Sequence, residues 1–170
     1  MNYNDVPEII KEFLFYCRTI KNHSPRTVQG YYLDLRTFFR FLKLKKDNLP
    51  KDSEFNKIDI SDLNIDFVSN ISTLDVYEYL QFVTDIRNNS PNSRARKLSC
   101  LKSYFKYMSE KSKRIDFNPT ANIDLPAVRK SLPKFLSLDE SRKLLESVEG
   151  KYLSRDYCII TLFLNCGIRL

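Results

Sequence analysis

Glycine, histidine and tryptophan are scarce or absent in this sequence of 170 residues, which has three glycines, one histidine and no tryptophan. So few glycines exclude the phosphate-cradling loops of P-loop enzymes and argue against sheet-rich folds with many tight turns. No apolar run approaches the roughly 20 residues that cross a bilayer, and the N-terminus lacks the apolar segment of a signal peptide. Membrane and secreted proteins are therefore excluded.

Cysteine is present only at four scattered positions, without a C-x-x-C pair: Cys17, Cys100, Cys158 and Cys166. A zinc site needs clustered soft ligands, so we expect neither a metal nor a cofactor. Without a secretory signal, the thiols are expected to be reduced core residues of a cytoplasmic protein. The single histidine, His23, precedes a predicted helix and is expected in a loop.

The charge is unevenly distributed along the chain. Lys and Arg number 28 against 21 Asp and Glu, a net charge of +7. Residues 1–46 carry +5, residues 47–86 carry −7 and residues 87–134 carry +9. Basic patches on folded domains attract phosphate backbones, although a solvated, solubilising face has the same composition. If the basic segments face DNA, the acidic segment should lie on the far side.

Four helices are predicted from caps and apolar periodicity. They begin at Pro7, at Ser24-Pro25, near Thr73 and at Ser90-Pro91, where serine before proline is typical of a helix start. The apolar stripe of the third helix is expected to be Leu74, Tyr77, Leu80 and Val83. With 42% hydrophobic residues and few glycines, the chain is predicted to be an all-α bundle. Its length allows one domain, or one small domain and part of another.

Two of these helices turn polar faces away from the core. The helix from Ser24 presents Arg26, Gln29 and Gly30, and a glycine there lets a backbone or phosphate approach closely. The helix from Ser90 presents Arg96 and Ser99, with other cations on its flanks. These residue types bind phosphates and base edges. Solvent-exposed helices that bind nothing have the same pattern.

The C-terminal third of the sequence differs from the rest in its predicted structure. Pro119, Pro126 and Pro133 favour an extended connector. Ser137 then begins a predicted helix with a capping box, and a further helix from about Ser154 is apolar nearly all round, as buried helices are. Because too little chain follows to bury it, we expect the sequence to stop within the start of a second domain.

Four separate motifs resemble tyrosine recombinases, and more narrowly the Xer-type, phage-integrase-like group. Ser24-Pro-Arg-Thr27, Tyr31, Asp34-Leu35 and Phe38 match the S-x-x-T-x-x-x-Y-x-x-D-L-x-x-F signature, and residues 93–105 resemble the fourth core-binding helix of that family. Asn118-Pro119, Leu125-Pro126 and residues 132–137 are similar to its interdomain linker. Asn165-Cys-Gly-Ile-Arg-Leu170 resembles its G-[LMI]-R-x-x-E motif.

The resemblance implies a clamp on duplex DNA. It implies a SAM-like four-helix core-binding domain at 1–115, a basic linker at 116–136 and the truncated start of a catalytic domain at 137–170. The implied DNA contacts are Arg26, Thr27, Gln29, Gly30, Arg96, Lys97, Ser99 and Lys102, and in the linker Arg129, Lys130 and Lys134. Arg169 aligns with the first catalytic arginine, which stabilises charge on the scissile phosphate.

Other parts of the family's catalytic site have no counterpart in the sequence: the hairpin lysine, the H-x-x-R motif and the nucleophilic tyrosine. Without a nucleophile no covalent intermediate forms, so this chain alone is not expected to recombine DNA. The resemblance implies specific binding of an inverted-repeat half-site in recombination and DNA integration, with a second recombinase protomer as partner. The alternative is a helical protein-interaction module with solvated basic faces, which need not show salt-sensitive DNA binding.

Overall fold

The computed structural model describes residues 6–46, 55–127 and 135–167, and these residues are helical, with no β-strand among them. The chain divides into two compact units, residues 1–128 and 129–170. The helices of the first unit are α1 (Glu8–Thr19), α2 (Pro25–Lys46), α3 (Ile65–Ser69), α4 (Thr73–Asp85) and α5 (Pro91–Lys106), and those of the second unit are α6 (Leu138–Glu146) and α7 (Leu153–Cys166). The predicted all-α class is confirmed.

The helices of the first unit begin where their caps predict. The Oγ of Ser24 accepts the backbone N–H of Thr27 at 3.2 Å at the start of α2, and Ser90 accepts that of Ser93 at 3.3 Å at the start of α5. Each bond satisfies one N–H of the first turn that has no partner within the helix. Beyond Lys106, α5 continues into a π-helical turn, Tyr107–Lys111.

Aromatic rings pack α2 against α5. The ring of Phe38 lies 5.0 Å from that of Tyr79 and 6.1 Å from that of Phe105, both edge-on. Tyr104 meets Phe39 and Phe13 edge-on, at 5.8 and 5.4 Å. These six side chains are fully buried, and edge-to-face pairs favour defined ring orientations. The core therefore fixes the relative position of the two helices with polar faces.

The face that α4 buries differs in part from the predicted one: Val83 is buried and Leu80 packs against the core, as predicted, but the other two residues are exposed. Leu74 and Tyr77 are 62% and 51% exposed, whereas Val76 and Tyr79 are fully buried. The reason is the spacing of three in the predicted stripe, which drifts by about 60° per step on a helix of 3.6 residues per turn and places Leu74 opposite the buried Val83. Asp75 is also buried, in a capping box with Ser72, and accepts a hydrogen bond from the Nζ of Lys45 at 2.8 Å.

The acidic segment pairs with the basic C-terminal end of α2. The Nζ of Lys43 lies 2.6 Å from the carboxylate of Asp62, and Lys45 pairs with both Asp75 and Glu78. At 1.5 Å per residue, Lys43 is about 20 Å along the helix from Gly30. The acidic charge therefore contacts the end of α2 remote from its predicted DNA face.

The first part of the predicted connector packs on the first unit. Thr120 and Ile123 are 1% and 3% exposed, and Ile123 belongs to the main core. The Nζ of Lys102 on α5 donates to the backbone carbonyl of Ile123. The domain boundaries at 115 and 136 stay a prediction, while the compact first unit extends to residue 128.

The second unit has no buried core in its described part. Ser137 and Glu140 form the capping box that starts α6, and Gly167, with φ of 59°, ends α7. Neither helix has a buried residue. The apolar α7 is therefore not enclosed by the described part of the second unit, as expected from the small amount of chain around it. Cys158 and Cys166 are correspondingly exposed, unlike the buried Cys17 and Cys100. No described helix is long and apolar enough to cross a membrane.

Candidate nucleic-acid interface

The predicted polar faces of α2 and α5 meet in one groove. A cavity of about 280 Å³ is lined by Ser24, Arg26, Thr27, Gly30, Tyr31 and Arg96. Four of these six residues are predicted DNA contacts, from sequence positions 70 residues apart. The packing of α2 on α5 therefore places cations, hydroxyl groups and a glycine around a single opening.

One end of the groove is the N-terminus of α2. The hydroxyl groups of Ser24 and Thr27 lie 3.0 Å apart, and both residues are exposed. No acidic residue lies in the first turn of α2. The first turn of a helix carries a partial positive charge and N–H groups directed at an approaching anion. This end suits a phosphate.

Arg96 is held in place by a buried carboxylate. Its Nη2 donates to the Oδ1 of Asp34 at 2.8 Å, and its Nη1 donates to Oδ2. The side chain of Arg96 is 55% exposed, whereas that of Asp34 is 2% exposed. One edge of the guanidinium is therefore fixed from inside the protein, and its remaining N–H donors face the groove and solvent.

Gly30 keeps the floor of the groove open. A Cβ added at this position would lie 3.8 Å from the Nη1 of Arg96, an ordinary van der Waals distance. Packing within the protein therefore does not require glycine at this position. Its absent side chain leaves the guanidinium of Arg96 accessible, as the predicted close approach of a backbone or phosphate requires.

Lys97, although predicted to contact DNA, lies inside the protein. It is 9% exposed, and its Nζ donates to the Oδ1 of Asp34 at 3.0 Å. A buried ammonium needs a counter-charge within reach, and Asp34 supplies it. The position of Lys97 does not support direct DNA contact. Its neighbour Arg96 is the cation that this turn of α5 presents to solvent.

The remaining predicted contacts are separate from the groove. Lys102 is half-buried and bonded to the carbonyl of Ile123. Gln29 and Ser99 are exposed on α2 and α5 but do not line the cavity. Arg129, Lys130, Lys134 and Arg169 lie outside the described residues. Among the residues described, no three His, Cys, Asp or Glu side chains could together hold a metal ion.

Three residues of this site are missing from the predicted contacts: Ser24 and Tyr31, which line the groove, and Asp34, which holds Arg96. The available signal is that Asp34 is the single acidic residue of α2 and stands beside Leu35, in the apolar stripe. A carboxylate on a core face needs a buried cationic partner. The sequence does not indicate which of the many basic residues supplies it.

A family model describes most of the first unit. The phage integrase N-terminal SAM-like domain matches residues 10–111, which contain most of α1, all of α2 to α5 and the whole groove. The chain belongs to this family. This match confirms the family resemblance of the four motifs, and it agrees with the predicted all-α class.

Relatives of this SAM-like chain are tyrosine recombinases. A tyrosine recombinase XerC of Caldanaerobacter subterraneus is 46% identical over 164 residues, covering 96% of this chain and 46% of the relative. A tyrosine recombinase of Pseudothermotoga lettingae is 30% identical, and the match covers 95% of this chain and 49% of the relative. A XerC of Leptospira interrogans is 27% identical, with coverage of 96% and 47%. The chain thus spans about half the length of these relatives, and no solved structure matches it significantly.

Proposed function

We propose that the first unit binds duplex DNA through α2 and α5, with a backbone phosphate in the groove between Thr27 and Arg96. The observation that supports this most directly is the groove itself, where the N-terminus of α2, two hydroxyl groups and the half-exposed guanidinium of Arg96 converge beside Gly30. A phosphate there would accept hydrogen bonds from N–H and O–H donors, the usual positioning contacts of DNA-binding proteins.

Within this proposal Arg96 contacts phosphate rather than reading a base. Bidentate recognition of guanine uses two parallel N–H donors. The Nη1 and Nη2 of Arg96 donate as a pair to Asp34, which leaves the edge of Nε–H and one Nη–H as its free parallel pair. A phosphate is the proposed ligand because Arg96 lines the same groove as Ser24 and Thr27, whose hydroxyl groups lie at the N-terminus of α2. Sequence readout is assigned instead to Gln29 and Ser99, which are exposed on the two helices.

At the level of the whole protein, we propose a part of a Xer-like tyrosine recombinase that recognises an inverted-repeat half-site during recombination and DNA integration. The family membership and the XerC relatives support this. Arg129, Lys130 and Lys134 would follow the DNA backbone, and Arg169 would serve as the first catalytic arginine. Pairing with a second protomer and inactivity of this chain alone are parts of the same proposal.

Fluorescence anisotropy with random duplex DNA and with an inverted-repeat duplex, across a salt series, tests the proposal. Binding should weaken steeply with salt, with a slope of log K against log salt of about −0.9 per phosphate contact. Preference for the repeat would support half-site recognition. Absence of binding to either duplex at low salt would overturn the proposal and favour the protein-interaction alternative.

A further inference from the structure

A second cavity of the first unit, lined mainly by aromatic rings, lies beside the groove. Its volume is about 370 Å³, and it is formed by the end of α1, the following loop, α2 and the last turns of α5. Four rings line it: Phe13, Tyr16, Tyr31 and Tyr107. The rings of Tyr16 and Tyr107 are 4.8 Å apart and those of Phe13 and Tyr31 are stacked at 5.9 Å. The cavity size is in the range that holds small ligands.

Three of the other six lining residues are lysines. Lys21, Lys106 and Lys111 line the cavity, and no acidic residue does. Among the residues described, Lys21 and Lys111 have no ion-pair partner, and Lys106 has only the exposed Glu110 at 3.9 Å. The Nδ1 of His23, also in the lining, is buried without a hydrogen-bond partner. The Nζ of Lys21 lies over the ring of Tyr16, 5.9 Å from its centroid. The cavity therefore combines aromatic rings, lysines without an acidic residue in the lining, and a buried polar atom without a hydrogen-bond partner.

The cavity continues the proposed phosphate groove. Tyr31 lines both, and its carbonyl lies 3.6 Å from the Sγ of Cys100 on α5. Arg96 lines the groove, whereas Ser103 and Lys106, seven and ten residues later, line the cavity. At 1.5 Å per residue these offsets are about 10 and 15 Å along α5. One strand of nucleic acid could therefore reach both openings.

We propose that this cavity binds an unpaired nucleotide, with its base against Tyr16 and Tyr107 and its phosphate near Lys106 and Lys111. A flat aromatic group carrying an anion matches an aromatic wall with a cationic rim, and single-stranded nucleic acids are bound by this combination of stacking and positive charge. An acidic peptide would satisfy the lysines but would not use the rings in this way. The residues assigned to the base and its phosphate, Tyr16, Tyr107, Lys106 and Lys111, do not line the duplex groove, so the two sites can be tested separately.

Anisotropy of a fluorescein-labelled oligothymidylate with the 170-residue chain tests the site. Stacking contributes about 1–3 kcal/mol per base, so Tyr16→Leu is expected to weaken binding about 5- to 100-fold. Tyr157→Leu, an exposed tyrosine of α7, is the matched control and should change it less than twofold. Replacing Lys106 and Lys111 together by alanine removes the contact to the one phosphate and should reduce the salt slope by about 0.7.

Photo-crosslinking locates the base directly. An oligonucleotide with 5-iododeoxyuridine should crosslink to Tyr16 or Tyr107, and thymidine monophosphate should compete if the site takes free nucleotides as well as strands. Circular dichroism checks that Tyr16→Leu is folded, and Tyr107→Leu is the second variant if it is not. Crosslinks confined to other residues, or equal displacement by hexaglutamate and by the nucleotide, would overturn the proposal.

Duplex affinity, measured alongside, should fall with Arg96→Ala but not with Tyr16→Leu, which separates this site from the duplex site.

Discussion

The guanidinium of Arg96 is bonded at two nitrogens to the carboxylate of Asp34, 62 residues earlier in the chain. Asp34 is buried and also accepts from the ammonium of Lys97 at 3.0 Å. One carboxylate thus pairs with two neighbouring cations of α5, of which one is buried and the other is half-exposed. The arrangement fixes Arg96 before any ligand arrives, which lowers the entropy lost when it binds a phosphate.

Arg96→Ala should weaken binding to all duplex sequences by a similar factor, because a phosphate contact carries no sequence information. The salt slope should fall by about 0.9. Anisotropy with random and inverted-repeat duplexes measures both quantities, and Arg142→Ala, which removes an exposed arginine of α6, is the charge-matched control. Loss of discrimination at a single base pair would instead indicate that Arg96 reads a base edge.

Gly30→Ala should affect stability and DNA binding in opposite directions. Alanine in a helix interior is more stable than glycine by about 0.5–1 kcal/mol, and the added Cβ meets only an ordinary contact at 3.8 Å. The same methyl group would occupy the floor of the groove and impede a phosphate beside Arg96. Urea unfolding and anisotropy on one preparation test the pair of effects. Duplex affinity equal to that of the parent chain would contradict the proposed groove.

Asp34→Asn should destabilise the first unit by about 3–5 kcal/mol, because it leaves the ammonium of Lys97 buried without a counter-charge. Lys97→Met added to this variant should recover part of the loss. Asp62→Asn, which breaks the exposed pair with Lys43, is the control and should cost about 1 kcal/mol or less. Urea unfolding measures all three variants. A loss for Asp34→Asn no larger than that of the control would show that Asp34 is not the anchor of this network.

The helix starts could be predicted from the sequence because their causes are local. Ser24 and Ser90 cap α2 and α5 through bonds to residues three positions later, so a short segment contains the whole signal. The buried face of α4 could be predicted only in part, because a constant spacing of three drifts around a helix of 3.6 residues per turn. The burial of Asp75 could not be predicted from a short segment, since its partner Lys45 lies 30 residues away.

The same distinction applies to the candidate site. The polar faces of α2 and α5 follow from periodicity, and Arg26, Thr27, Gly30 and Arg96 do line one groove. Periodicity does not separate Arg96 from Lys97, which are adjacent and both basic. Only the position of Asp34, contributed by another helix, decides which of the two is half-exposed and which is buried.

Ile123→Ala should destabilise the first unit although the residue lies beyond the predicted domain end at 115. Ile123 is 3% exposed in the main core, and replacing buried isoleucine by alanine costs about 2–5 kcal/mol. Urea unfolding measures the change, and Leu125→Ala, at an exposed leucine two residues later, is the control. If the two substitutions lowered the free energy of unfolding equally, residues 116–127 would be a linker that contributes nothing to the core, as predicted from the sequence.

The ion pair between Asp75 and Lys45 should make the stability of the first unit sensitive to acid. Burial tends to raise the pKa of Asp75, but hydrogen bonds from Lys45 and from the backbone and side chain of Ser72 outweigh it and leave the pKa lowered. A carboxyl group whose folded pKa is depressed stabilises the protein above its unfolded pKa of about 3.9, and this stabilisation is lost as the pH falls through the folded value.

Asp75→Ala should therefore cost about 1–3 kcal/mol at pH 7, and the difference from the parent chain should shrink below about pH 4. Urea unfolding between pH 7 and pH 2.5 measures it, with Asp85→Ala, at an exposed acid of the same helix, as the control. A difference that persists unchanged at pH 2.5 would assign the effect to packing rather than to the charge of Asp75.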